Sequence, residues 1–122
     1  MSRLLAATVA VFASFVAVAI AEQATIDLSG KWTVTWLDNG SRNKMTLTQT
    51  ADRLSGQYTN DSNDVCSVSG TLNVEGRSLR LQITCPKWDI KMDGHYSADG
   101  KTVVGSYLAY GSSAGGFQMS RE

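Results

Sequence analysis

The 122-residue sequence predicts an all-β fold, an eight-stranded antiparallel up-and-down β-barrel behind an N-terminal leader. Three observations carry that prediction. After Ala21, apolar and polar residues alternate with period two, and no stretch shows helical periodicity. The alternating runs recur about every 12 residues, with turn residues at each break. A repeat of the form apolar-x-Gly-x-large occurs in Leu28–Trp32, Leu54–Tyr58, Val68–Leu72, Met92–Tyr96 and Val103–Tyr107. Each repeat puts its glycine on the same face as its apolar neighbours. There it permits the strong coiling and close backbone approach that barrel closure needs.

The leader comes first. Arg3 precedes Leu4–Ala21, an apolar run broken only by Thr8 and Ser14 and ending in Ala19-Ile20-Ala21. A positive start, an apolar stretch and a small-x-small site predict a cleaved signal peptide over residues 1–21. Residues 22–122 then form a single β-barrel domain, secreted or periplasmic. The alternative is an uncleaved anchor helix, since the run approaches spanning length. No cysteine lies near the junction, so no lipoprotein anchor is expected. The remaining 101 residues are about a third apolar and carry one excess negative charge. That balance excludes a basic nucleic-acid binder, which needs cationic excess for phosphates. It also excludes a polytopic membrane protein, and 101 residues are too few for a multidomain enzyme. No membrane association is expected after cleavage.

The strands are predicted at 31–37, 43–50, 53–59, 66–73, 78–85, 88–97, 102–110 and 116–121. The clearest alternations are Trp32-x-Val34-x-Trp36, Met45-x-Leu47-x-Gln49, Leu79-x-Leu81-x-Ile83-x-Cys85 and Ile90-x-Met92. Asp99-Gly100 is the strongest hairpin signal. Glycines 40, 76, 100, 111, 115 and 116 are assigned to the gaps between strands. With Trp32 at the bottom, short turns at 50–53, 74–77 and 98–101 close the lower end. Connections at 37–44, 59–65, 86–87 and 111–115 lie at the top. An open sandwich is the runner-up architecture.

Cys66 and Cys85, the two cysteines, fit this scheme. Pairing the fourth and fifth strands about Glu75-Gly76 sets Leu72 opposite Leu79, Gly70 opposite Leu81, Val68 opposite Ile83 and Cys66 opposite Cys85. A structural disulfide is expected, as suits a small exported chain. Closing a loop of this size stabilises by about 3 kcal/mol in the chain-entropy model. There is no Cys-x-x-Cys redox motif, and two cysteines are too few for a typical zinc site.

The upper half of such a barrel is lined by Trp36, Met45, Tyr58, Trp88, Met92, Tyr107 and Phe117, with Ile83 and Ile90 among them. An eight-stranded barrel is filled by its own side chains or holds one small ligand. This lining predicts a small apolar or aromatic guest, contacted by Trp36 and Tyr58, with Tyr107 and Asn60 as polar handles. His95 alternates with Asp89 and Asp93 on the sixth strand, an arrangement open to a surface cation but expected of a solvated face. No metal or cofactor is expected. No nucleophile–base pair, phosphate loop or paired interior carboxylates occur, so no enzyme is expected. Asn39-Gly-Ser41 and Asn60-Asp-Ser62 match the glycosylation sequon, which matters only in a eukaryotic source.

Gly30-Lys31-Trp32 on the first strand, with Arg121 ending the last, resembles the calycin superfamily. That resemblance implies that Trp32 plugs the closed end and Arg121 packs across it. The outline is most similar to the avidins, through Leu28–Trp32, Leu54–Asn60, Met92–Tyr96 and Ser106–Leu108. The biotin contacts the family implies are largely replaced. Val34 stands for the strand-one Asn, Asn60 for the Ser after Tyr58, Met92 and Tyr107 for the Trp of strands six and seven, and Leu81 and Ile83 for that of strand five. The late Asp is replaced near Gly115. Biotin's ureido oxygen would lose its donors, so biotin is not the expected guest. Two other functions remain open: an inhibitor of a secreted protease or other protein, inserting Glu22–Asp27, and a filled-barrel envelope protein with no ligand.

Overall fold

Alternating burial along every strand is what closes this chain on itself. The computed structural model describes residues 26–110 and 113–122, and the predicted signal peptide lies outside these. The strands are β1 (Gly30–Trp36), β2 (Arg42–Thr50), β3 (Arg53–Thr59), β4 (Val65–Asn73), β5 (Ser78–Thr84), β6 (Asp89–Tyr96), β7 (Thr102–Ala109) and β8 (Ser113–Arg121). Each pairs antiparallel with its sequence neighbour, and β8 returns to β1, giving a closed barrel rather than an open sandwich. Inward positions form one continuous core from Leu28 and Trp32 to Phe117 and Met119. Among the described residues, no helix is long and apolar enough to cross a membrane.

Seven strands start and end within one or two residues of their predicted limits. β8 differs: it begins at Ser113, and Gly115 and Gly116 lie inside it, opposite Tyr107 and Ser106. Gly115, assigned to the connection, and Gly116, assigned to its edge, are therefore corrected to the strand's interior. A Cβ on Gly115 would stand 2.9 Å from Tyr107 Cε1, so the glycine makes room for the cross-strand ring. Close approach is tighter still at Gly56 and Gly105. A Cβ there would lie 1.8 Å from the Thr46 carbonyl oxygen and 2.0 Å from that of Asp93.

The expected register of β4 on β5 is present, with Val68 opposite Ile83, Gly70 opposite Leu81 and Leu72 opposite Leu79. One step beyond the ladder, Cys66 and Cys85 form a disulfide, with Cα atoms 4.7 Å apart. Both sulfurs belong to the core.

The lower end is sealed. Trp32 is fully buried, and its indole N–H donates to the Leu28 carbonyl at 2.9 Å. The Arg121 guanidinium lies 4.8 Å from the Trp32 ring centre and donates to the carbonyls of Asp27, Ser29 and Gly100. Gln49 fixes the strap before β1 from the other side. Its carboxamide donates to the Ile26 carbonyl and accepts from the Leu28 amide. The upper end is thus left as the place for a site.

Candidate functional site

β1, β2 and β3 each contribute one inward side chain to the throat below the upper rim: Trp36, Asn43 and Tyr58. Asn43 Oδ1 accepts from the Trp36 indole N–H at 2.8 Å and from the Tyr58 hydroxyl at 2.7 Å. The Asn43 amide nitrogen donates to Asp61 Oδ1 at 2.9 Å, and Asp61 Oδ2 accepts from the Ser41 hydroxyl at 2.9 Å. Among the described residues each buried side-chain polar atom has a partner, as burial requires. Burial pushes the Tyr58 phenol up to about 12, against the smaller opposing effect of its bond with Trp36. The ring stays neutral and works as a donor.

Around this knot the predicted lining residues meet. The Trp36 ring makes edge contacts with Tyr58, Tyr107 and Phe117, at centroid distances of 6.1, 4.8 and 6.4 Å. Met45 lies opposite Tyr58, and Met92 opposite Tyr107. Trp36, Met45, Tyr58, Met92 and Phe117 are all buried, none exposing more than 6 % of its surface. These five fill the upper barrel at their own level.

Two predicted lining residues reach the rim. Tyr107 is half-buried and donates its hydroxyl to Asp38 at 2.9 Å; burial first, and that carboxylate second, raise its pKa. Trp88 is half-buried in the connection after β5, where its carbonyl accepts from the Cys85 amide at 2.9 Å. The exposed Tyr110 ring leans on it, with centroids 5.9 Å apart. Tyr110 has a φ of 57°, a left-handed conformation that is costly for a bulky residue and that clusters at functional sites.

Asn60 does not join the lining. Its side chain accepts from the amides of Ser62 and Asp64 and donates to the Asp64 carboxylate, holding the loop after β3. Asn39, the other sequon residue, is exposed, and its side chain accepts from the Ser41 amide. Sequence reasoning missed Asn43. Its signal was parity, because Asn43, Met45 and Leu47 share one face of β2. Asp38 and Asp61 sit in connections where no periodicity applies.

On the outer wall, His95, Asp89 and Asp93 are exposed, and Asp93 pairs with Arg80 at 3.0 Å. Among the described residues, no three His, Cys, Asp or Glu side chains gather as a metal site would require. Concave surface of about 440 Å³ crosses β4, β5 and β6 between Ser69, Arg80 and Lys91. A smaller hollow of about 210 Å³ opens at the rim between Asp64, Cys85, Pro86, Lys87 and Trp88. No protein-family model matches the chain, and no curated protein matches it.

Proposed function

We propose that this is an exported calycin-like binding protein, not an enzyme, which takes one small molecule at the upper rim of its barrel. The guest presents an apolar or aromatic face. The observation that carries this reading is the position of Trp36. It fills the throat with its only polar atom bonded to Asn43 and Tyr58, so ring surface remains available higher up, on Trp88 and Tyr107. A braced aromatic at a barrel mouth offers contact area with little rotamer entropy left to lose. The core disulfide fits an oxidising compartment. The inhibitor reading gains less support. Ile26 and Asp27, within the segment that would enter a protease, are tied to the barrel floor by Gln49 and Arg121.

The test is a fluorescence titration with the neutral probe N-phenylnaphthylamine, beside native mass spectrometry of protein from its own source. Saturable quenching that Trp88→Ala removes, and that Lys101→Ala at the closed end leaves intact, supports the rim. No retained molecule and no response to any rim probe, apolar or polar, would leave a filled barrel without a ligand.

A further inference from the structure

The rim hollow beside Trp88 has a composition that selects among guests. We propose that it is a pyranose site, which takes a neutral sugar ring by one face; the proposal rests on the rim reading above and names its ligand class. The hollow holds about 210 Å³ and is walled by Trp88, Pro86, Cys85, Asp64 and Lys87. A single six-membered sugar ring fits that volume.

Charge narrows the choice. Asp64 and Lys87 stand on the same hollow with opposite signs. A cation drawn to Asp64 and the Trp88 face meets Lys87, and an anion drawn to Lys87 meets Asp64. A purely apolar guest would strip water from both charges and return no hydrogen bond. A pyranose has an apolar C–H face for the indole and a belt of hydroxyls that donate to a carboxylate and accept from an ammonium. The indole of Trp88, the Asp64 carboxylate and the Lys87 ammonium then each have a use.

The walls are also held in place. Cys85 is tied to Cys66, and the Cys85 amide closes the tight turn onto the Trp88 carbonyl. Tyr110, which does not line the hollow, braces the Trp88 ring. Asn60 accepts from the Asp64 amide and donates to its carboxylate, fixing the opposite wall. A platform ordered before binding loses less entropy when the guest arrives.

The experiment follows the Trp88 indole N–H resonance of the isotopically labelled protein, assigned by its disappearance in Trp88→Phe. The probes are the methyl glycosides of glucose, galactose and mannose, the trimer of N-acetylglucosamine, tetramethylammonium and N-phenylnaphthylamine. At least one saccharide is expected to shift the resonance saturably. Saccharide affinity, read from saturation transfer, should fall about tenfold or more in Trp88→Ala. It should fall about tenfold in Asp64→Asn, and in part be kept by Trp88→Phe. Dispersed spectra of each variant show that the barrel is intact. The sugar assignment is overturned if no saccharide shifts Trp88, if saccharide binding survives Trp88→Ala, or if tetramethylammonium alone binds. A response to N-phenylnaphthylamine alone overturns the sugar and keeps the rim. Silence from every probe overturns both.

Discussion

Asn43 Oδ1 lies 2.8 Å from the Trp36 indole nitrogen and 2.7 Å from the Tyr58 hydroxyl, so one amide oxygen holds two aromatic donors from neighbouring strands. The same amide reaches the Asp61 carboxylate through its nitrogen, which links the buried throat to the loop after β3. Asn43→Ala removes the shared acceptor and leaves an Asp61 oxygen without its amide donor. Stability should fall by about 1–3 kcal/mol, the cost of leaving buried partners unpaired, as measured by urea unfolding. Amide exchange should quicken first in the loop between Asn60 and Asp64. An unchanged unfolding midpoint would mean that the Tyr58 oxygen, 3.1 Å away, suffices for the Trp36 N–H and that the Tyr58 proton finds another acceptor.

The barrel was legible because its signals are periodic. Trp32, Val34 and Trp36 all face in, and parity about Glu75-Gly76 gave the Cys66–Cys85 register directly. Gly115 and Gly116 misled because glycine marks both turns and close strand approach, and only the Tyr107 ring across the ladder tells which applies here. The site was half legible. Trp36 and Tyr58 were found as large inward rings, but their hydrogen bonds depend on Asn43 and Asp61, whose roles arise from spatial meeting rather than spacing. The Trp88 hollow depends on how the Cys85–Trp88 turn faces the Asp64 loop, which no local pattern encodes.

Glycine at positions 56 and 105 sets how closely adjacent strands coil. Gly56→Ala and Gly105→Ala would drive a methyl into the carbonyls of Thr46 and Asp93, which are backbone and cannot rotate away. Each should destabilise by about 1–3 kcal/mol or more, the range for overpacking. Gly76→Ala has only the Ser78 hydroxyl near, at 3.7 Å, and should be close to neutral. Thermal unfolding of the three variants ranks them. Equal midpoints would show that the strands shift freely to accept a methyl.

Cys66 and Cys85 are 19 residues apart in sequence and share one end of the β4–β5 pair. Replacing both by Ala, which keeps the site apolar, should cost about 3 kcal/mol through the restored freedom of the unfolded chain. The variant should also broaden the Trp88 resonance, because the Cys85–Trp88 turn loses its covalent anchor. Loss of stability without that broadening would confine the bridge to a global role.

Arg121 forks across three carbonyls while its plane covers Trp32. Lysine offers a point charge and cannot span Asp27, Ser29 and Gly100 together. Arg121→Lys should therefore lose most of what Arg121→Ala loses, about 1–3 kcal/mol, in denaturant unfolding. Hydrogen exchange should show the Leu28 amide opening before the strands do. Full rescue by lysine would assign the closed end to charge alone.

Alkaline pH tests the throat from another side. Burial raises the Tyr58 phenol from the ordinary 10.0 to about 12, so the folded state keeps its proton where the unfolded chain releases it. For a group raised in this way, its contribution to stability is complete below the unfolded value. It is lost as pH climbs from about 10 through about 12, since unfolding then gains the ionised form. Unfolding midpoints should hold steady up to about pH 10 and decline beyond it. Tyr58→Phe should flatten that decline, at the cost of lower stability near neutrality from the lost bond to Asn43. The near-ultraviolet tyrosinate band gives a second reading. The part of that band absent from Tyr58→Phe should rise together with loss of the Trp36 environment. If Tyr58 ionises near the ordinary 10.0 while the barrel stays folded, water reaches the phenol and the throat is not sealed.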